Sequence, residues 1–314
     1  MALRPAALPG QLLKNVFACE KSAVARRVLR HSICPPALLY RDLTSPGRQK
    51  AGSVDVYTAG PPCQPYSAAG KNKGGADKRC MLRSVVSYIK EKQPKLFVIE
   101  NVKNLLSKKH KVIWNKLVGE LRATRCAGGG LAYNIQFKVL NSKHFGLPQN
   151  RERVYLVGCH RSVASGKFKW PAEKTTPALT SFLDPHPPAV QRKLSATSEW
   201  NIKEALKKVA DAGMDPSSVD IVVDIGCSKS RTNMMHNLCP AITKSRAAGQ
   251  DFWLMSAGRR LTVLELLRMQ GFLKTDVNLE GLSERQIGEM VGNAMSVPVL
   301  TAVLREGLRV CGMR

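Results

Sequence analysis

Asp55-Val56-Tyr57-Thr58-Ala59-Gly60-Pro61-Pro62-Cys63-Gln64-Pro65 begins as a strand and breaks into a stiff loop. Residues 55–59 are short and rich in β-formers, Gly60 ends the run, and two prolines with fixed φ stiffen the chain leading to Cys63. The thiol of Cys63 is therefore expected just beyond the carboxyl end of a strand. Downstream the pattern repeats. Leu82, Val85, Val86 and Ile89 share one helical face, Pro94 interrupts, and Leu96-Phe97-Val98-Ile99 follows as an unbroken apolar run, as in a strand buried on both faces. Glu100-Asn101-Val102 comes next. Ile113, Leu117 and Leu121 mark another helix face, closed by Gly128-Gly129-Gly130, and strands are expected around residues 135–140 and 154–157. Such alternation predicts an α/β fold with a doubly wound sheet. In open sheets of this class ligand sites form outside the carboxyl ends of strands, so Glu100 should lie beside the Cys63 loop.

Past Cys159 the alternation fades. Pro171, Pro177, Pro185, Pro187 and Pro188 crowd the stretch, with one helix expected near residues 202–212 and a stop at Gly213. Order returns after Gly258. Thr262 with Glu265, and Ser283 with Gln286, each form a capping-box pattern ahead of apolar positions, and Gly271 is placed to end the first of these helices. Residues 297–308 read as a helix returning to the first unit. The expected division is residues 1–158, a smaller irregular domain over 159–258, and a returning segment over 259–314.

Lys and Arg number 49 against 23 Asp and Glu, a formal charge of +26. That excess favours a polyanionic partner, held by phosphate contacts and counterion release. Hydrophobic residues make up 44% of the chain, which argues against disorder, and no apolar run is long enough to span a membrane. Arg4, Pro5, Pro9 and Gly10 interrupt any secretory signal. None of the nine cysteines forms a Cys-x-x-Cys pair, so no structural metal is expected. Their odd number and irregular spacing favour reduced thiols in an intracellular protein, nuclear if the source is eukaryotic and otherwise cytoplasmic.

The run Pro61-Pro62-Cys63-Gln64-Pro65-Tyr66-Ser67 closely resembles the catalytic loop of the C5-cytosine-specific DNA methyltransferases. Four further elements resemble that family in the same order. They are Glu100-Asn101-Val102; Gln149-Asn150-Arg151-Glu152-Arg153; Arg260-Leu261-Thr262 with Glu265 and Gln270-Gly271-Phe272; and Gly292-Asn293-Ala294-Met295-Ser296-Val297-Pro298. Upstream, Phe17-Ala18-Cys19-Glu20 and Asp42-Leu43 are similar to its cofactor elements.

The resemblance implies a Rossmann-like class I methyltransferase sheet, with residues 159–258 as the target-recognition domain. It also implies S-adenosylmethionine as cofactor and DNA as partner, with RNA as an alternative. Cytosine is a poor electrophile at C6 until N3 is protonated or strongly hydrogen bonded, which a carboxyl group in a closed pocket can achieve. By resemblance Cys63 attacks C6 of a base flipped out of the duplex, Glu100 meets N3, Arg153 lies near the base and Arg151 supports the loop. Glu20 would take the ribose hydroxyls, Asp42 with Leu43 the adenine, and Pro62, Asn293 and Ser296 would complete the cofactor pocket. Gln64, Ser67, Lys71, Lys73 and Arg79, with Lys78, would contact DNA as the loop closes; a solvated basic loop is an equal reading of those lysines.

One family element is not matched. The family opens with a strand and a Phe-x-Gly-x-Gly loop that lets the backbone approach the cofactor, whereas Met1 to Val16 hold only Gly10. A truncated gene model, an incomplete fragment and a degenerate enzyme each fit, and weak S-adenosylmethionine binding is expected. Two alternatives to the DNA enzyme stand. One is the tRNA-methylating branch, whose loop usually reads Pro-Pro-Cys-Gln-Pro-Phe-Thr where this chain has Tyr66-Ser67. The other is an inactive nucleic-acid-binding relative.

Overall fold

The computed structural model describes residues 14–43, 51–62, 81–188 and 192–313. Cys63, Gln64, Ser67, Lys71, Lys73, Lys78 and Arg79 lie outside the described residues. The first half runs β1 (Phe17–Cys19), α1 (Ala23–Arg30), β2 (Leu38–Tyr40), β3 (Val56–Ala59), α2 (Leu82–Lys92) and β4 (Leu96–Val102). It continues with α3 (Lys111–Arg122), β5 (Tyr133–Asn141), β6 (Gln149–Asn150) and β7 (Glu152–His160). Then come α4 (Ala196–Asp211), β8 (Ile221–Asp224), β9 (Met234–His236), β10 (Cys239–Pro240) and α5 (Lys244–Gly249). The chain closes with β11 (Phe252–Leu254), β12 (Arg259–Arg260), α6 (Val263–Met269), α7 (Glu284–Asn293) and α8 (Val297–Val310).

The main sheet has the order β3-β4-β7-β5. Its centre is the apolar run read from the sequence: in β4 every residue from Leu96 to Asn101 is buried. β3 pairs with β4 in parallel, Thr58 opposite Val98, whereas β7 pairs antiparallel with both β4 and β5. The sheet is thus mixed. One face packs on α2 and α3 through Val85, Ile89, Leu117 and Leu121 against Phe97 and Ile99. The other packs on α8, where Val303 and Leu304 meet Leu96, Val98 and Val157. A continuous apolar strand is what two covered faces require.

β1 and β2 form a separate parallel pair. Ring contacts tie it to the main sheet: Phe17 stands 6.3 Å from Tyr57 and 5.5 Å from Tyr88 between centroids, and Tyr57 and Tyr88 stand 4.5 Å apart.

The region after Cys159 is more regular than the sequence suggested. β12-β11-β8-β9 make a four-stranded antiparallel sheet, with α4 packed on one face through Ala205 and Val209 against Ile221 and Val223. The returning segment also divides. α6 and α7 pack on this second sheet, where Leu266, Met269 and Ile287 meet Val222 and Phe252, and only α8 reaches the first sheet. Both capping boxes are present, on Thr262 and on Ser283. Gly271 ends α6 with φ +87°, and a Cβ there would lie 2.4 Å from Pro298 Cδ, so glycine is required twice over. Glu284–Val310 has the length and composition to cross a membrane, but it is two helices, α7 and α8, and more than half of its most apolar stretch is packed inside the molecule.

Candidate active site

A cleft of about 1580 Å³ opens between the β1–β2 pair, the main sheet and the α5–α7 region. Its floor is the carboxyl end of β3 and β4. Asn101 Nδ2 donates to the carbonyl of Pro61 at 3.2 Å, which ties the proline loop down two residues before Cys63. The same side chain's Oδ1 accepts from Val102 N at 2.9 Å, so Asn101 is spent on holding this corner. Gly60 lies where a Cβ would be 2.7 Å from Met295 Cε and 3.6 Å from Glu100 Oε2. The absence of a side chain there lets Met295 and the carboxylate approach the loop.

Glu100 is 8% exposed and Arg153 Nε stands 3.2 Å from its Oε1. That pairing is ionic, because Oε1 makes no hydrogen bond of proper geometry among the described residues. Tyr155 sits opposite Glu100 across the β4–β7 ladder. Its phenol is pushed far up, first by burial and then by the Glu100 charge, so it stays neutral.

Gln149, Arg151 and Arg153 alternate along an extended chain, and residues two apart share a face. Gln149 is fully buried; its Nε2 donates to Met269 O at 2.8 Å, and its Oε1 accepts from Ile242 N at 3.1 Å. Arg151 is buried too, donating from Nη1 to Ile242 O at 2.6 Å and from Nη2 to Ala294 O at 2.9 Å. It clamps the main sheet to the α5 and α7 side of the cleft. Both Arg151 and Arg153 line the cleft.

On the opposite wall, Glu20, Asp42 and Leu43 follow the ends of the neighbouring parallel strands β1 and β2 and line the cleft together. Glu20 Oε1 accepts from Ser22 N at 2.7 Å, and its backbone N donates to Tyr40 O at 3.0 Å. Pro62 and Asn293 also face the cleft. Ser296 does not. Its buried hydroxyl donates to Gln270 Oε1 at 3.1 Å and lies 2.7 Å from Ser142 Oγ, so it packs beneath the wall instead of forming it.

Several residues with clear work here carried no assignment in the sequence reading. Asn101 stood inside a quoted motif, and Gln149 headed another, but their partners lie 40 and more positions away. Met295 belongs to the same class. Arg192, Lys244 and Arg285 line the cleft from elements with no motif at all.

The family model for C-5 cytosine-specific DNA methylase matches residues 7–309. The type II methyltransferase M.NgoBI of Neisseria gonorrhoeae is 31% identical over 92% of this chain and 84% of its own length. M.BsuFI of Bacillus subtilis is 30% identical over 83% of this chain and 59% of its own. Among solved structures, DNMT2 of Spodoptera frugiperda superposes with a TM-score of 0.65 over 98% of this chain and 95% of its own, at 18% identity. A methyltransferase of Entamoeba histolytica gives 0.62 over 98% and 94%, at 16% identity; both likenesses speak to the fold alone. The chain belongs to the C-5 cytosine-specific DNA methylase family, transferases that use S-adenosylmethionine to methylate cytosine in DNA.

Proposed function

We propose that the cleft binds S-adenosylmethionine on its β1–β2 side and a flipped-out cytosine over β3 and β4, with Cys63 as nucleophile. The observation that carries this reading is the buried Glu100–Arg153 pair at 3.2 Å, set at the foot of the Gly60-Pro61-Pro62 turn that leads into Cys63.

The residues present fit the adenosine portion of the cofactor, and weak binding remains the expectation. Carboxylates at the ends of adjacent parallel strands, Glu20 and Asp42, offer acceptors for ribose hydroxyls and for the adenine amino group. Leu43 supplies an apolar edge, Pro62 and Asn293 the facing wall. The cleft exceeds the roughly 300–1,000 Å³ of an ordinary small-molecule pocket, so a cofactor and a base have room together. S-adenosylmethionine, when bound, supplies an electrophilic methyl group.

The protein's own residues prepare the base to accept it. The Cys63 thiolate adds to C6 and a C–S bond forms. Glu100 meets N3 and stabilises the charge that moves into the ring, while Arg153 fixes the carboxylate. C5 becomes nucleophilic and takes the methyl group. Loss of the C5 proton to solvent and breaking of the C–S bond restore the aromatic ring and the thiolate. Arg151 acts by clamping the walls through Ile242 and Ala294. Gln64, Ser67, Lys71, Lys73 and Arg79 are assigned to the DNA side, where the +26 charge favours phosphate contacts.

The test is covalent trapping. On duplex DNA with 5-fluorocytosine in place of cytosine, and with S-adenosylmethionine present, no C5 proton can leave. The chain should then form an adduct that survives denaturing electrophoresis, and Cys63→Ala should form none. Equal trapping by both proteins would overturn the assignment.

A further inference from the structure

Met295 stands where the chain passes from α7 to α8, and the backbone on either side of it is pinned from within. The Ala294 carbonyl accepts from Arg151 Nη2 at 2.9 Å and from Gln270 Nε2 at 3.2 Å. The Ser296 hydroxyl donates to Gln270 Oε1 at 3.1 Å and lies 2.7 Å from Ser142 Oγ. Arg151, Gln270 and Ser142 are all buried, and they come from the junction of β6 with β7, the end of α6 and the turn after β5. Buried polar groups that satisfy one another in this way hold a single arrangement. The residue held between them is Met295.

The side chain in this frame reaches the turn that leads into Cys63. Met295 packs against the apolar cluster that holds Val98, Tyr155 and Val299, and it lines the cleft together with Gly60 and Glu100. A Cβ on Gly60 would lie 2.7 Å from Met295 Cε and 3.8 Å from its Cγ, and 3.6 Å from Glu100 Oε2. The thioether arm, the carboxylate and the turn therefore meet at one point. One residue further on, Asn101 Nδ2 holds the Pro61 carbonyl at 3.2 Å. The turn thus has a tether at Pro61 and a stop at Gly60. The bond from Asn101 keeps it from drifting off β4, and the Met295 methyl keeps Gly60 out of the space beside Glu100. A tether alone sets a greatest distance and a packed side chain alone a least one; together they set a position.

We propose that Met295 is a positioning residue for the methyl transfer. Its side chain props the Gly60-Pro61-Pro62 turn at a fixed height beside Glu100, so that the nucleophile and the carboxylate address one base at the same time. It forms no bond to the reacting atoms and acts through the turn. The proposal rests on the reading above, in which Cys63 attacks C6 and Glu100 meets N3.

The experiment is covalent trapping on 5-fluorocytosine duplex, run as a single turnover with S-adenosylmethionine raised to saturation. The full chain is compared with Met295→Ala, Met295→Leu, Gly60→Ala and the double variant Gly60→Ala/Met295→Ala, and melting curves establish that each folds. Met295→Ala should lower the maximal adduct rate by about tenfold or more, within the roughly hundredfold that a misplacement of about 1 Å can cost. The half-saturating cofactor concentration should stay within about twofold of the parent, because the loss falls on the reacting step. Met295→Leu conserves volume and should recover most of the rate. Gly60→Ala should cost about tenfold in the parent, where the new methyl meets Met295 Cε, and less than about threefold in the Met295→Ala background, where that space is vacant. An unchanged maximal rate in Met295→Ala, a leucine variant as slow as the alanine one, or equal costs of Gly60→Ala in the two backgrounds would overturn the proposal and leave the methylating reading intact. So would a loss confined to the half-saturating concentration, which would make Met295 a cofactor contact only. A parent chain that traps no adduct would overturn both.

Discussion

The two flanks of the cleft are built to different standards. On the β3–β4–β7 side, Glu100 and Arg153 project from strands whose middles are buried, seven residues long in β4 and nine in β7. On the β1–β2 side, Glu20 and Asp42 follow strands of three residues each, in which no residue is fully buried. α1, packed beside them, buries only Val28. A carboxylate that must stay within a fraction of an ångström of a reacting ring needs neighbours that cannot move. A carboxylate that holds ribose hydroxyls tolerates more freedom, and ordering can come with the ligand. On the proposed reading, chemistry falls to the buried flank and adjustable binding to the exposed one.

The sharpest way to break this comparison is Glu100→Gln. The amide keeps the shape but cannot protonate or balance charge at N3. Loss of a positioned acid or base costs roughly 10²–10⁴ in rate. The single-turnover rate of adduct formation on 5-fluorocytosine duplex should fall by that amount, while duplex affinity stays within about twofold. A fall of less than tenfold would remove the chemical role from the buried flank.

That flank was also the more legible one in the sequence. Leu96 to Ile99 announced β4 because a strand covered on both faces has no polar alternation to confuse it, and Glu100 followed at once. The capping boxes at Thr262 and Ser283 were readable because they are local, three residues wide. The second sheet was not read. Ile221-Val222-Val223 is an apolar run bounded by Asp220 and Asp224 and was a usable signal, but its partners β9 and β11 are three residues long and β12, beyond β11, only two. Strands that short show no periodicity. Ser296 was assigned to the cofactor by its place in a motif; its hydroxyl turns inward because Ser142 and Gln270 lie on elements that only the fold brings near. Long-range partners of this kind leave no local pattern.

The exposed flank offers the next test. The β1–β2 pair meets the main sheet through Phe17, whose ring stands 5.5 Å from Tyr88 and 6.3 Å from Tyr57. Aromatic pairs of this geometry contribute about 0.5–1.5 kcal/mol beyond the area they bury. Phe17→Ala should therefore loosen β1 and β2 while sparing β4. Amide exchange over residues 17–20 and 38–40 should quicken by about tenfold, the factor that about 1.4 kcal/mol represents, with residues 96–102 unchanged. S-adenosylmethionine affinity by calorimetry should fall in step. Uniform acceleration across both flanks would mean that they are one cooperative unit and that the contrast is only one of exposure.

The third wall asks which flank it resembles. Asn293 ends α7, which packs on α6, and α6 is fixed at its start by Glu265, a fully buried carboxylate. Glu265 Oε2 accepts from Thr262 N at 2.7 Å and Arg259 Nη1 at 2.9 Å. Its Oε1 accepts from Asp184 N at 3.0 Å and Arg259 Nη2 at 2.7 Å. Burial alone would raise its pKa, but the bonds from Arg259, Asp184 and Thr262 outweigh burial and hold it below the ordinary 4.5. A group depressed in the folded state stabilises fully above its unfolded value and loses that contribution as pH falls through its folded value. The melting temperature should therefore fall on acidification below 4.5, the ordinary value of this carboxyl. Glu265→Gln should melt a few degrees lower at neutral pH and show a shallower acid slope, so that the two curves converge. Exchange over residues 263–269 should match that of residues 96–102 at neutral pH and rise above it in acid, because the wall behaves like the buried flank only while this carboxylate is charged. Parallel melting curves for parent and variant at every pH would show that packing, and not the Glu265 charge, holds the wall.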